Sequence, residues 1–150
     1  MVNYRPLINM CKIISITLKD LPKINNLEKQ LNLNETKLNF LNQTLLNENF
    51  KFIKLVSGKQ IIGFLQFSWN KSDCDIISIG IIKKLQKMGY GKKLIEYLVN
   101  FNFKNIFVEV SAKNNNAIIF YQKLNFLKVS LRKNYYTKLK SDAILLKLTI

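Results

Sequence analysis

The architecture of this chain can be worked out from residues 78–94, which run Ser78-Ile79-Gly80-Ile81-Ile82-Lys83-Lys84-Leu85-Gln86-Lys87-Met88-Gly89-Tyr90-Gly91-Lys92-Lys93-Leu94. A β-branched strand ends, a turn follows, and two glycines open an amphipathic helix. Glycine has no Cβ, so a bulky anion can approach its backbone. The first N–H groups of a helix lack intrahelical partners and, with the helix dipole, attract negative charge. The stretch therefore predicts a strand–turn–helix unit with an anion site, to which Lys87, Lys92 and Lys93 add positive charge.

The spacing of these glycines differs from that of two common phosphate-binding motifs. No G-K-[ST] follows at the spacing of a Walker loop, and the stretch lacks the six-residue G-x-G-x-x-G fingerprint of dinucleotide-binding proteins. A strand-to-helix turn whose glycines serve only packing is the alternative interpretation.

Hydrophobic periodicity on either side of this unit predicts a mixed α/β fold in a single domain, residues 1–150, with residues 1–10 as a short extension. Patterns typical of strands cover residues 12–18, 50–56, 60–69, 74–82, 105–110, 126–136 and 143–149. Helical spacing covers residues 21–31, 37–46, 89–102 and 115–124. Ser57-Gly58-Lys59 predicts a hairpin turn. A helix between two strands forces them to run parallel. We therefore expect a mostly antiparallel sheet with a central parallel strand-helix-strand unit and helices on both faces.

The composition restricts the chemistry that the chain can perform. It contains no histidine and two cysteines, Cys11 and Cys74, which are far apart in the sequence. Too few nitrogen or sulfur ligands remain for a zinc site, so we expect no metal. Mechanisms built on a Ser-His or Cys-His pair are excluded as well. A general base must then be a carboxylate, a lysine, a tyrosine or a water.

The net charge is +15, from 24 Lys and Arg against 9 Asp and Glu. A charge of that size can indicate a polyanionic partner. The lysines, however, are spread along the chain, which favours a compositional origin over dedicated nucleic-acid binding. No apolar run approaches the ~20 residues that span a bilayer, and the N-terminus is not typical of a secretory signal. We expect a cytoplasmic protein without a membrane partner.

The pattern Gln86-x-x-Gly89-x-Gly91 resembles the Q/R-x-x-G-x-G/A pyrophosphate loop of the GNAT acetyltransferases. Residues 79–81 resemble the fourth strand of that family, whose backbone pairs with the pantetheine arm of coenzyme A. The order of the predicted elements is also similar to the family's fold. The resemblance implies acetyl-coenzyme A as co-substrate. It implies a cofactor-binding set of Ile79, Gly80, Ile81, Gln86, Lys87, Met88, Gly89, Tyr90, Gly91, Lys92, Asn114 and Tyr121.

Downstream segments resemble the branch of the family that acetylates the N-terminal alanine of a ribosomal protein. The patterns E-V-R-x-S-N, A-x-x-L-Y-x-x-x-G-F, R-x-x-Y-Y and D-A of that branch have counterparts at residues 109–114, 117–126, 132–136 and 142–143. The resemblance covers residues 13–148 and is strongest from 79 to 143. It implies Glu109 as general base and Tyr121 as general acid, acting between acetyl-coenzyme A and a protein N-terminus.

Each implied role has a structural alternative. Glu109 lies among Ile106, Phe107, Val108 and Val110, and desolvation by these neighbours would make it a better base, yet it could be a structural glutamate paired to a lysine. Tyr121 could be a core aromatic residue, and Asn114 could be a helix N-cap. Tyr135 and Tyr136 could line the acceptor groove. Adjacent residues of a strand face opposite ways, so we expect at most one of these tyrosines to do so.

Two residues depart from the pattern of that branch. Asn125 replaces a glycine before Phe126, and because asparagine tolerates the left-handed conformation, we expect the turn to survive. Ser111 replaces an arginine, which removes one charge beside the acceptor site and bears on the identity of the substrate. An acetyltransferase for a small amine is therefore an alternative. A non-catalytic RNA-binding module is a second alternative, suggested by Lys51-Phe52-Ile53-Lys54.

Overall fold

The structure is a computed structural model that describes residues 5–150, with side chains from Ile8 onward. Within that range the strands are β1 Lys12–Ser15, β2 Phe50–Ser57, β3 Gln60–Asn70, β4 Asp73–Ile81, β5 Asn105–Ser111, β6 Leu127–Tyr136 and β7 Ser141–Thr149. The α-helices are α1 Arg5–Met10, α2 Leu21–Gln30, α3 Leu38–Leu45, α4 Tyr90–Val99 and α5 Asn115–Lys123. Short 3-10 turns occupy Leu18–Asp20 and Lys83–Leu85.

The predicted order of elements is confirmed, with differences at the N-terminal end. Residues 1–10, expected to be an extension without a regular pattern, contain helix α1 from Arg5; residues 1–4 lie outside the described range. Strand β1 ends at Ser15, earlier than expected. The reason is local, because the carboxylate of Asp20 accepts hydrogen bonds from the backbone N–H of Thr17 at 2.8 Å and from its hydroxyl at 3.1 Å, which begins the 3-10 turn.

The described strands form a mixed sheet in the order β1-β2-β3-β4-β5-β7-β6. Strand β4 pairs with β5 in parallel, from Asp73 opposite Asn105 to Ile76 opposite Val108. The hairpins β2–β3 and β6–β7 are antiparallel, as expected. The order at one end was not predicted: β7 lies between β5 and β6 and pairs antiparallel with both.

The chain divides into two compact units. The first contains the described residues up to Ser68 together with Ile77–Leu98. Its core includes Ile16, Leu21, Ile24, Leu27, Leu41, Phe50, Phe52 and Phe64. Helix α2 buries an apolar stripe of Leu21, Ile24 and Leu27, whereas in α3 only Leu41 of the three leucines is buried and Leu38 and Leu45 are exposed. At the hairpin turn, Gly58 adopts a φ of 58°, a left-handed conformation that glycine tolerates.

The second unit contains Trp69–Ile76 and Val99–Ile150. Strand β5 alternates strictly there, with Ile106, Val108 and Val110 buried on one face and Phe107 and Glu109 half-buried on the other. Helix α5 contributes the buried Tyr121. The thiol of Cys74 is buried, and burial raises its pKa to about 12, so Cys74 is a core residue and not a nucleophile.

Candidate active site

Gly80 is required by packing in strand β4. A Cβ added there would lie 2.6 Å from Cδ1 of Leu31 and 2.7 Å from Cε1 of Phe64. Real Cβ contacts are never this short, so a side chain at this position would displace both neighbours. Close packing therefore accounts for the glycine at position 80. Only the backbone of residues 79–81 remains to hold a ligand.

The loop after β4 is anchored to the sheet before the helix begins. Ile82 N donates to Ile62 O at 3.0 Å, and Nε2 of Gln86 donates to Ile81 O at 3.0 Å. Lys87 and Gly89 then adopt positive φ angles of 60° and 93°. The value at Gly89 lies well outside the range that a side chain tolerates comfortably, so glycine is needed there for conformation.

Helix α4 begins at Tyr90 and is ten residues long, so its first turn can act as an anion site. Lys93 N donates to Gly89 O at 3.1 Å, and the N–H groups of Gly91 and Lys92 precede this first intrahelical bond. The first turn contains no acidic residue. The backbone therefore fits a phosphorylated group at the predicted position.

The side chains of this segment divide into exposed and engaged groups. Lys87 and Lys92 are exposed, and Lys92 lies 3.7 Å from Glu96 in a solvent-exposed pair. Lys93, which was predicted to add mobile charge, instead donates to Ile8 O at 2.7 Å. Tyr90 is buried, so it could take part in anion binding only through its backbone.

Glu109 forms an ion pair that the sequence interpretation missed. Its Oε1 lies 2.9 Å from Nη1 of Arg132, and the side chains are 27% and 55% exposed. The desolvation argument for Glu109 is wrong in its stated form, because Ile106, Val108 and Val110 point to the other face of the strand. Phe107 alone of the four apolar neighbours shares its face. Glu109 is thus a partly solvated carboxylate whose partner is an arginine, not a lysine.

Two further acidic residues lie on the same face as Glu109. Asp75 of β4 is opposite Phe107 in the parallel ladder, and Asp73 is opposite Asn105, whose Nδ2 donates to it at 2.7 Å. Burial raises the pKa of Asp75, and the negative charges of Asp73 and Glu109 raise it further. The sequence signal was the alternation Asp73-Cys74-Asp75, whose significance depends on the register with β5.

Tyr135 and Tyr136 do not alternate as predicted. Their rings contact each other edge to face with centroids 5.2 Å apart, which opposite faces would prevent. The reason is the irregular register between Arg132 and Tyr136, where Asn134 adopts a φ of 53°. The hydroxyl of Tyr136 lies 3.5 Å from Glu109 O, and the Arg132 guanidinium lies 5.4 Å from the ring centre of Tyr135. Burial raises the pKa of Tyr136, as do the charges of Glu109 and Tyr135.

Tyr121 is buried in α5 against the rings of Phe120 and Phe126, at 5.0 and 5.1 Å. Burial raises its pKa, so the phenol stays protonated at neutral pH. The turn after the helix is formed as predicted: Asn125 has a φ of 66°, Phe126 N donates to Tyr121 O, and Asn125 N donates to Gln122 O. This pair of bonds is a Schellman motif, which asparagine supports here in place of glycine.

Asn114 is the N-cap of α5, as its structural alternative predicted. Its Oδ1 accepts a hydrogen bond from Ala117 N at 3.1 Å. The capping bond uses the carbonyl oxygen, so the NH₂ group is the part of this amide that could bind a carbonyl of the cofactor.

The structure does not support the RNA-binding alternative, which was suggested by residues 51–54. Phe52 and Ile53 are buried, whereas aromatic residues that stack on bases must be accessible. Lys54 forms an ion pair with Asp20 at 2.7 Å.

The structure brings the predicted site residues into two groups. Residues 79–92 lie together in the first unit, and Asn114, Glu109, Tyr121, Tyr135 and Tyr136 lie in the second. Within residues 5–150, no helix has the length and apolarity needed to cross a membrane. The part of the chain that the structure describes also holds no group of three or more potential metal ligands among Cys, Asp and Glu.

Comparison with known proteins identifies the fold and the family. The chain is 34% identical over 95 residues to a ribosomal protein bS18-alanine N-acetyltransferase of Haemophilus influenzae, covering 61% of this chain and 64% of that protein. It is 31% identical over 78 residues to N-alpha-acetyltransferase 50 of Danio rerio, covering 49% and 46%. These matches span between 46% and 64% of the curated relatives' length.

The crystal structure of the ribosomal-protein-S18-alanine N-acetyltransferase from Escherichia coli has the same fold. It superposes with a TM-score of 0.81 over 94% of each chain, at 24% identity. A model of the acetyltransferase (GNAT) family matches residues 17–126. Because this match covers well over half of the chain, the chain belongs to the GNAT acetyltransferase family.

Proposed function

We propose that this protein transfers an acetyl group from acetyl-coenzyme A to the N-terminal α-amine of a protein, and that the acceptor is a ribosomal protein. The observation that carries the proposal is Glu109, a partly exposed carboxylate between Val108 and Val110 that is held by Arg132. The curated relatives named for protein N-termini support the choice of acceptor. We place the reaction in the cytoplasm.

The first unit offers the residues that would hold the cofactor. The Gly91 and Lys92 N–H groups, with Lys87 and Lys92 beside them, would bind the pyrophosphate, and the left-handed Gly89 shapes the approach. The backbone of Ile79, Gly80 and Ile81 would pair with the pantetheine arm. Acetyl-coenzyme A supplies the acetyl group as a thioester, which an amine can attack.

Glu109 is the base in this proposal. A protonated amine has no lone pair, so its proton must be removed before it can attack a carbonyl. The ion pair with Arg132 fixes one carboxylate oxygen, Oε1, and leaves Oε2 to accept the proton directly or through a water. Arg132 then acts as a positioning residue, because it contacts the base and not the reacting atoms.

Tyr121 is the proton donor in this proposal. Its raised pKa keeps the hydroxyl protonated at neutral pH, which is the form that a donor needs. A thiolate released into equally dry surroundings is itself a stronger base than a thiolate in water, so the proton transfer remains feasible. Asn114 would contribute its NH₂ group to cofactor binding.

The proposed acceptor is chosen on the pKa of its amine and on the acidic residues beside Glu109. An N-terminal amine has a pKa near 7.7–8.0, against about 10.4 for lysine, so a modest base suits an N-terminus better. Asp73, Asp75 and Glu109 share one sheet face in a chain whose net charge is +15, which gives a cationic acceptor a local attraction. The same acidic face also suits a small polyamine, which is the second candidate substrate.

The experiment compares three acceptors by mass spectrometry after incubation with acetyl-coenzyme A. One peptide begins with a free alanine and carries internal lysines, the second has a blocked N-terminus, and the third acceptor is spermidine. We expect acetylation of the first peptide at its N-terminus alone. Equal acetylation of the blocked peptide, or of spermidine alone, contradicts the proposed acceptor.

A further inference from the structure

A buried carboxylate holds the connection between α2 and α3, residues 31–37. Glu28 is 1% exposed, and its two oxygens bind one residue of the connection: Oε2 accepts from Thr36 N at 2.8 Å and Oε1 from Thr36 Oγ1 at 2.6 Å. The side-chain NH₂ group of Asn25 donates to Glu28 Oε2 at 3.0 Å and to Thr36 O at 3.1 Å, since this orientation of the amide gives both acceptors a donor. Gln66 of β3 donates to Thr36 Oγ1 at 2.8 Å.

This arrangement uses both oxygens of Glu28 as hydrogen-bond acceptors. Thr36 Oγ1 accepts from Gln66, so its own hydrogen is directed to Glu28 Oε1. Both oxygens of Glu28 therefore face donors, and an amide at this position would turn an NH₂ group toward one of them. Leaving a buried donor without an acceptor is costly. The sequence signal was the position of Glu28 in the apolar stripe of α2, at helical spacing from Ile24 and Leu31.

The connection that Glu28 holds lies on the strand proposed to bind the pantetheine arm. Leu31 is its first residue, and the Leu31 side chain covers Gly80 so closely that no Cβ fits between them. Leu33 packs against the core of the first unit, and Leu33 N donates to Glu28 O at 2.8 Å. Both ends of the connection, Leu31 at Gly80 and Thr36 at Glu28, are thus fixed within one unit.

We propose that Glu28 is a positioning residue for the acceptor: by holding residues 31–37 against β4 at Gly80, it fixes the wall past which an amine reaches the thioester. This inference rests on the proposed function. The loop proposed to bind the phosphate end of the cofactor is anchored separately, because Gln86 Nε2 donates to Ile81 O and Ile82 N donates to Ile62 O. Moving from Ile81 to Ile79 leads away from that loop, so the part of the arm farther from the phosphates would pass Gly80, against which Leu31 packs. Loosening the connection then disturbs the acceptor and spares the cofactor.

The test compares Glu28→Gln with Glu48→Gln, which removes the same charge from an exposed position of the first unit outside the connection. For Glu28→Gln we expect the acceptor-peptide KM to rise about tenfold, the scale of one buried hydrogen bond, with kcat and the acetyl-coenzyme A affinity within about twofold of wild type. Glu48→Gln should match wild type. Thr36→Ser should also match it, because serine keeps both the hydroxyl and the N–H group that bind Glu28.

Three further outcomes separate the explanations. An unchanged acceptor KM with a lowered melting temperature would make Glu28 a purely structural residue and overturn the inference. If Glu28→Gln does not fold, Thr36→Val, which removes only the hydroxyl, must raise the acceptor KM, and a wild-type KM overturns the inference. A wild-type protein without any acetylation activity would refute the proposed function. In that case, the rate of hydrogen exchange at Thr36 N decides whether Glu28 holds the connection. If this N–H exchanges as slowly in Glu28→Gln as in wild type, Glu28 does not hold the connection and the inference is refuted as well.

Discussion

Arg132 Nη1 lies 2.9 Å from Glu109 Oε1 and couples a residue of the edge strand β6 to the candidate base on β5, across β7. The interaction depends on the tertiary order of the strands, because 23 positions separate the two residues in sequence and β7 lies between their strands. It gives Glu109 a fixed orientation while one carboxylate oxygen stays available. The predictions below test what this carboxylate and its surroundings do.

Replacing Glu109 by glutamine should slow acetyl transfer by about 10²–10⁴-fold at neutral pH, since a general base typically contributes that factor. The affinity for acetyl-coenzyme A should not change, because the proposed cofactor residues are intact. Steady-state kinetics and calorimetric titration measure the two quantities. A wild-type rate would assign the proton transfer to a water or another group.

Replacing Arg132 by glutamine should lower kcat by about tenfold or less, well under the effect of Glu109→Gln, because the base remains and only its orientation is lost. The pair is partly exposed, so the free energy of unfolding should fall by no more than about 1 kcal/mol. Denaturant titration and kinetics of the same preparation check both values. A loss of activity as large as that of Glu109→Gln would mean that Arg132 itself contacts the substrate.

Replacing Gly89 by valine should abolish the rise in melting temperature that acetyl-coenzyme A produces in the wild type. A ligand that binds only the folded state stabilises it by mass action, and valine cannot adopt a φ of 93° without distorting the loop. Gly58→Val is the matched control, since Gly58 is also left-handed but has open space around its Cβ position. It should lower the melting temperature and keep the shift. An equal shift in Gly89→Val would refute the assignment of this loop.

Replacing Tyr121 by phenylalanine should reduce turnover with little change in thermal stability. The ring contacts with Phe120 and Phe126 remain, while the hydroxyl that could protonate the leaving thiolate is gone. Tyr97→Phe, at a half-buried tyrosine of α4, is the control. Wild-type turnover would return Tyr121 to the role of a core aromatic residue, and so would a large loss of stability.

The stability of the protein should depend on pH through Glu28. Burial raises the pKa of Glu28 above its ordinary value, although the hydrogen bonds from Thr36 oppose this shift and Glu35 adds to it. Over the interval between the unfolded pKa, about 4.3, and the raised folded value, the folded state binds more protons. Stability therefore falls as pH rises through that interval and is constant above it. Melting curves across this range should show a smaller fall in Glu28→Gln, and parallel curves would contradict the prediction.

Local patterns in the sequence determined the elements and the turn that is proposed to bind phosphate. Gly89 and Gly91 before an amphipathic helix, the apolar stripe of α2 and Asn125 at the end of α5 act through neighbouring residues, so their consequences can be derived from short segments. The resemblance to the family singled out Glu109 on β5. The sequence did not show which residues surround Glu109, because successive side chains of a strand point to opposite faces. The residues next to Glu109 in the sequence are therefore not those next to it in space.

Only the tertiary structure decided which distant residues meet. The insertion of β7 between β5 and β6 brings Arg132 to Glu109, the parallel register of β4 and β5 adds Asp75 to the same face, and an irregular register turns Tyr135 toward Tyr136. Glu28 meets Thr36 because the α2–α3 connection folds back on its own helix. Strand order, register and loop closure follow from the packing of the whole chain, which no segment of sequence contains by itself.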